Sequence, residues 1–126
     1  MSVVTCEELA RRLGEEGLVL LDVRTAAEFA GAAGYPCDER RGHVPGARNV
    51  DVQELLGLDA DGIRERIGAP AGAEVIAYCH SGGRSATAVE LLRAAGYDAR
   101  NFAGSWHEWS ADPALPLEAG QADAAA

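Results

Sequence analysis

The strongest chemical signal in the chain is the stretch Tyr-Cys-His-Ser-Gly-Gly-Arg-Ser-Ala, Tyr78 to Ala86. One cysteine, Cys79, follows an apolar run and precedes two glycines, an arginine and a helical pattern. A cysteine acts as a nucleophile when it is a thiolate, and that form is favoured by a helix N-terminus and by nearby cations. This stretch supplies both. Gly82 and Gly83 allow a tight turn, so that successive backbone N–H groups can face inward around a sulfur. A helix starting near Arg84 or Ser85 would add its positive end. Arg84 adds a permanent charge and a forked donor. Residues His80, Ser81, Gly82, Gly83, Arg84 and Ser85 are therefore expected to form an anion cradle with Cys79 at its base. Such a cradle suits a thiolate, a persulfide or an oxyanion. An isolated cysteine is more often a small buried hydrophobe. That reading fits Cys6 and Cys37, which lack the ordered sequence of strand, cysteine, glycines, arginine and helix.

The flanking pattern tells where the cradle should sit. The apolar runs at 18–23 (LVLLDV) and 73–79 (AEVIAYC) read as strands buried on both faces. Residues 85–98 (SATAVELLRAAGYD) read as a helix with Ala88, Leu91, Leu92 and Ala95 on its apolar face. Thr5 and Glu8 fit a capping box opening a helix from Cys6 that Gly14 or Gly17 would end, and Thr25 is a plausible cap for a short helix. Residues 30–42, rich in Gly and Ala and then polar, read as a loop excursion. A short strand is expected near Asn49–Val50, two small helices after it, a last strand at 99–104 and a short closing helix at 105–110. Strands alternating with helices predict an α/β domain with a mainly parallel sheet, whose ligands bind beyond the carboxyl ends of the strands. Cys79 stands at such an end.

The chain has 126 residues, enough for one domain, with 20 acidic and 11 basic residues and a formal charge of -9. That balance argues against a nucleic-acid or anionic-membrane partner. No apolar run approaches a membrane span, and the N-terminus has no signal-peptide core, so a cytoplasmic location is expected. Three cysteines without a CxxC spacing make neither a disulfide framework nor a metal site; no metal and no cofactor are expected.

Four stretches in order, LLDVRTAAEF, GHVPGARNV, YCHSGGRSATAVELLRAAGYD and FAGSWHEW, resemble the signatures of the rhodanese-like, or sulfurtransferase, domain. The resemblance covers about residues 4–117. It implies a mainly parallel five-stranded sheet flanked by helices on both faces, with the domain over 1–117 and a flexible tail over 118–126. It also implies sulfur transfer in two steps. Cys79 would take a sulfur from a donor such as thiosulfate, becoming a persulfide, and a thiol, cyanide or sulfur-carrier protein would remove it. A monomer or weak homodimer is expected. Asp22, Arg24 and His43 match signature positions and read as supports: a buried ion pair at a strand end and a turn-fixing histidine. Trp106 and Trp109 read as packing.

Loop length and charge bear on the substrate. Four residues separate Cys79 from Arg84. Fold-related phosphatases have a longer loop that rings a phosphate, so the shorter one disfavours phosphatase or arsenate-reductase chemistry. Loop positions that carry a sulfonate-binding cation in some members are His80 and Ser81 here, and a position that is Arg in some thiosulfate-specific members is Glu28. Ser81 resembles the loop of 3-mercaptopyruvate enzymes. Arg40 and Arg41 are candidates to replace the missing charge. Cys37, in the same excursion, is a candidate resolving thiol for Cys79. A non-catalytic partner-binding module is the competing class; the presence of Cys79 disfavours it.

Overall fold

The computed structural model describes residues 3–120. Strands β1 (Val19–Asp22), β2 (Arg48–Asn49), β3 (Glu74–Tyr78) and β4 (Asp98–Asn101) form one parallel sheet in the order β2-β1-β3-β4. Leu21 pairs with Arg48 and Ala77, and Ala77 pairs with Asn101. The two central strands are the apolar runs, as expected of strands covered on both faces.

The pleat sorts β3 between two cores. Val75, Ala77 and, beyond the strand end, Cys79 face one core, with Leu21, Ile63, Ile67, Ala88 and Leu92. Ile76 and Tyr78 face the other, with Leu9, Leu20, Phe29, Phe102, Trp106 and Trp109. Helices α3 (Val52–Leu56), α4 (Ala60–Ile67) and α5 (Gly83–Ala94) cover the first face. Helices α1 (Cys6–Arg11), α2 (Ala26–Ala30) and α6 (Ser105–Ala111) cover the second. Both tryptophans are fully buried core residues. Among the described residues no helix is long and apolar enough to cross a membrane.

Three expectations need correction. The sheet has four strands among the described residues, not five. A single parallel bridge, Val3 to Asn101, stands where a fifth strand would pair beside β4. Thr5 caps α1 two residues later, which leaves no length for a ladder. The capping box is complete not at Thr5 but at Thr25, where Glu28 returns the bond. Glu8 gives its carboxylate to Arg12 and Arg100 instead. Residues 118–120 belong to the folded body. Glu118 exchanges backbone hydrogen bonds with His43 (2.7 and 2.9 Å), and Gly120 N–H donates to Ala30 O (2.8 Å). The rest of the expected tail, 121–126, lies outside the described residues.

Candidate active site

Cys79 is buried, 1% exposed, between the end of β3 and the start of α5. Its Sγ receives the Gly82 N–H at 3.1 Å and the Ser85 N–H at 3.4 Å, with the Ser85 hydroxyl also at 3.4 Å. Gly82 cannot be replaced at low cost. Its φ is +99°, and a Cβ there would lie 2.7 Å from Ala103 O. Helix α5 then opens at Gly83, so the amides of its cap, Gly82, and of Ser85 in its first turn meet at the sulfur. Burial pushes the Cys79 thiol upward. The Ser85 hydroxyl and the amides of Ser85, Gly82 and Ser81 outweigh it, and the thiol titrates below its ordinary range.

The far side of the loop is held by α6. Trp106 N–H donates to Cys79 O (2.9 Å) and His107 N–H to His80 O (3.0 Å). Ser105 Oγ accepts the Cys79 N–H at 3.0 Å and donates to Phe102 O at 2.9 Å. Ser105 holds φ +56°, an unusual value for a residue with a side chain, and it places this hydroxyl under the cysteine. Asn101 Oδ1 accepts from Ser85 Oγ at 2.7 Å. Neither Ser105 nor Asn101 was singled out from the sequence. Both lie just before or inside the closing motif, but their contact with the loop is made only by the fold.

Arg84 differs from its expected role. Its guanidinium grips Glu28 in a fork, Nη1–Oε1 2.9 Å and Nη2–Oε2 3.1 Å, and makes no hydrogen bond to loop carbonyls or to Cys79. Burial pushes the Glu28 carboxyl upward, but Arg84 and the Thr25 cap pull it down to about 2. The charge expected for the thiolate is thus largely matched by Glu28. A groove of about 260 Å³ lined by Thr25, Glu28, Ala33, Gly34 and Tyr35 lies on this side. On the loop's rim Ser81 and Gly83 are exposed.

Asp22 and Arg24 form a fully buried pair (Nη2–Oδ2 2.7 Å), and Arg24 also donates to Gly42 O at 2.6 Å. His43 is buried against the Phe29 ring and donates from Nδ1 to Phe29 O at 2.7 Å. These residues tie the strand end to the excursion and do not touch Cys79. Arg40 does not face the loop either: it donates to the carbonyls of Ser110 (3.2 Å) and Asp112 (2.8 Å) at the end of α6. Arg41 is exposed, its side chain lying over Gly34. Cys37 is exposed, and its Sγ faces His107 Nδ1 at 3.9 Å. His80 bonds Asp38 Oδ1 (2.8 Å) through Nε2 and lies tilted against the Tyr35 ring. Cys37, Asp38, His80 and His107 together make the one cluster of metal-ligand type found among the described residues.

The sequence profile of the rhodanese-like domain family matches residues 5–112. The chain is 35% identical over 123 residues to the thiosulfate sulfurtransferase of Pseudomonas aeruginosa, covering 90% of this chain and 45% of that protein. It is 34% identical over 129 residues to a protein of the same organism named "Probable 3-mercaptopyruvate sulfurtransferase", covering 94% and 45%. Among solved structures, one described as "Crystal Structure of Probable Thiosulfate Sulfurtransferase" superposes with a TM-score of 0.81 at 44% identity, covering 93% of this chain and 47% of that one. The chain thus spans less than half the length of these relatives.

Proposed function

Because the chain belongs to the rhodanese-like domain family, we propose that it is a sulfurtransferase that carries sulfane sulfur on Cys79, with thiosulfate as donor. The observation that carries the reading is the group of donors nearest Cys79 Sγ, the Gly82 and Ser85 N–H groups and the Ser85 hydroxyl, at the carboxyl end of the sheet. They hold the Cys79 thiol below its ordinary range and so favour the nucleophilic thiolate.

In the first step the Cys79 thiolate attacks the outer sulfur of thiosulfate. A new S–S bond forms, the sulfur–sulfur bond of the donor breaks, and sulfite leaves with the electron pair. The negative charge passes to the outer sulfur of the persulfide. The Gly82 and Ser85 amides that face Cys79 Sγ would receive this charge. In the second step a thiophilic acceptor attacks the outer sulfur. Cyanide, a small thiol or an acceptor protein would serve. The persulfide bond breaks and Cys79 leaves as the thiolate that the same donors stabilise. No proton need be moved when the donor and acceptor are anions, which is consistent with a site whose histidine, His80, is engaged with Asp38. The relative named for thiosulfate and the four-residue loop favour this donor and chemistry over phosphoryl transfer.

The test is peptide mapping by mass spectrometry after exposure to thiosulfate. One added sulfur is expected on Cys79 alone, removed by cyanide with release of thiocyanate. Cys79→Ser should abolish turnover with the fold intact. Sulfur transfer retained by that variant would refute the proposal.

A further inference from the structure

We propose that Cys37, Asp38, His80 and His107 form a binding site for a divalent cation of the zinc class, joining the 30–42 excursion to the loop that carries Cys79. The inference does not depend on the sulfur-transfer reading. It rests on four potential ligand atoms that converge from three separate segments.

The donor set is one thiol, one carboxylate and two imidazoles. That combination and number are those of a tetrahedral zinc site. Their ligand atoms all lie within 4.8 Å of one another. Within the group, His80 Nε2 and Asp38 Oδ1 are 2.8 Å apart, Cys37 Sγ and His107 Nδ1 3.9 Å, and His107 Nδ1 and Asp38 Oδ1 4.0 Å. Bonds of about 2.0–2.3 Å in a tetrahedron place ligand atoms about 3.3–3.8 Å apart. The observed spacings bracket that range: rotation of exposed Cys37 and His107 shortens the long ones, and loss of the His80–Asp38 hydrogen bond on metal binding lets the 2.8 Å pair separate.

The supports behind these ligands are already in place. Asp38 turns its other oxygen, Oδ2, to the Tyr35 N–H at 3.2 Å, and the Asp38 N–H donates to Tyr35 O at 3.0 Å. The carboxylate is therefore fixed by its own turn, with its side chain only 1% exposed. His80 is clamped between the Tyr35 ring, 3.9 Å between centroids, and the Asp38 carboxylate. The backbones of His80 and His107 are bonded to each other at 3.0 Å, which fixes the separation of the two imidazole stems. Held groups of this kind orient metal ligands and raise affinity. A hydrogen bond accounts for Asp38 with His80. It does not account for a cysteine and a second histidine brought to the same point.

Binding would replace the proton shared between His80 and Asp38 and release the proton of Cys37, since metal ligands bind deprotonated. No redox change is involved. The cation would bind the excursion to the loop through His80, the residue next to Cys79.

Cobalt(II) and zinc(II) are the probes. Cobalt(II) added to the full chain should bind one to one and give tetrahedral visible bands with a thiolate charge-transfer band. Zinc(II) should displace it and should protect Cys37 from alkylation. Cys37→Ser should remove the charge-transfer band. Outer-shell partners alone are worth about 10–100-fold in metal affinity, so His107→Ala, which removes a direct ligand, should weaken zinc by about 100-fold or more. Both residues are exposed, so neither variant threatens the fold. In Cys79→Ser the cobalt spectrum should be unchanged. A charge-transfer band that survives Cys37→Ser and disappears in Cys79→Ser would place the metal on the other thiol and overturn the proposal. Zinc affinity unchanged in His107→Ala, or no stoichiometric binding at all, would also overturn it. None of these readouts requires sulfur transfer, so a failure here is distinct from a failure of the persulfide reading.

Discussion

Replacing Ser85 by Ala tests the electrostatics of the site most directly. The Ser85 hydroxyl has one proton and three acceptors within reach: Asn101 Oδ1 at 2.7 Å, Gly82 O at 3.2 Å and Cys79 Sγ at 3.4 Å. With a neutral thiol the shortest contact, to Asn101, takes the proton. Once Cys79 is charged, the thiolate competes for it, because hydrogen bonds to charged acceptors are about twice as strong as neutral ones. Such a bond is worth about 1.5–3 kcal/mol, and the length here places it at the lower end. About 1.4 kcal/mol is a factor of ten, so Ser85→Ala should weaken the acidity of the Cys79 thiol by about tenfold. The Ser85 amide remains, and Ala suits the first turn of α5. Asn101 is only half-buried, so water can replace the lost donor. The assay is the pH dependence of Cys79 alkylation by iodoacetamide, read at the Cys79 peptide. The inflection should move to higher pH while the rate per thiolate stays unchanged. An inflection that does not move would refute the reasoning, even if the rate fell, because the hydroxyl would then be acting through packing alone.

Gly82→Ala must accept φ +99° and a Cβ 2.7 Å from Ala103 O; a cost of about 1–3 kcal/mol in denaturant unfolding is expected, with loss of sulfur uptake by Cys79. Glu28 has a folded pKa of about 2 against an ordinary 4.5. A depressed carboxyl stabilises above its unfolded pKa and loses that contribution as pH falls through the folded value. The wild type should therefore lose about 3 kcal/mol between about pH 4.5 and 2 that Glu28→Gln does not lose, measured by unfolding at stepped pH. Mild peroxide should oxidise Cys79 without producing a Cys37–Cys79 linked peptide, because the Cys37 sulfur faces His107; recovery of that peptide in mapping would restore the resolving role for Cys37.

The turn that closes on Cys79 was legible because its geometry is local. Gly82, the start of α5 and Cys79 lie within a few residues, so the turn, the amides and the sulfur are positioned by the same short segment. The strands were legible for a similar reason: Val75 to Cys79 is apolar at every position, which only a strand covered on both faces requires. What pairs with a long side chain is a different matter, because the partner is set by the tertiary fold. Arg84 sits one residue from the ring and reads as its charge, yet Glu28, 56 positions earlier, takes both of its nitrogens. Arg40 reads as a substrate cation, yet it reaches carbonyls at the end of α6 about 70 positions away. Ser105 and Asn101 escaped for the converse reason: a serine and an asparagine near a strand end are ordinary turn residues until β4 is placed beside β3 and brings them under the sulfur. Glu28 shows both limits in one side chain. Thr25 reads as the cap of α2, and Glu28 completes a capping box there that the sequence reading placed at Thr5. The same carboxylate also fixes Arg84, and with it the charge balance next to Cys79, through a contact that exists only once β1 and β3 lie side by side and set α2 and α5 at the same edge of the site. A reading from sequence can therefore place the candidate nucleophile, while the field around it has to be taken from the folded chain.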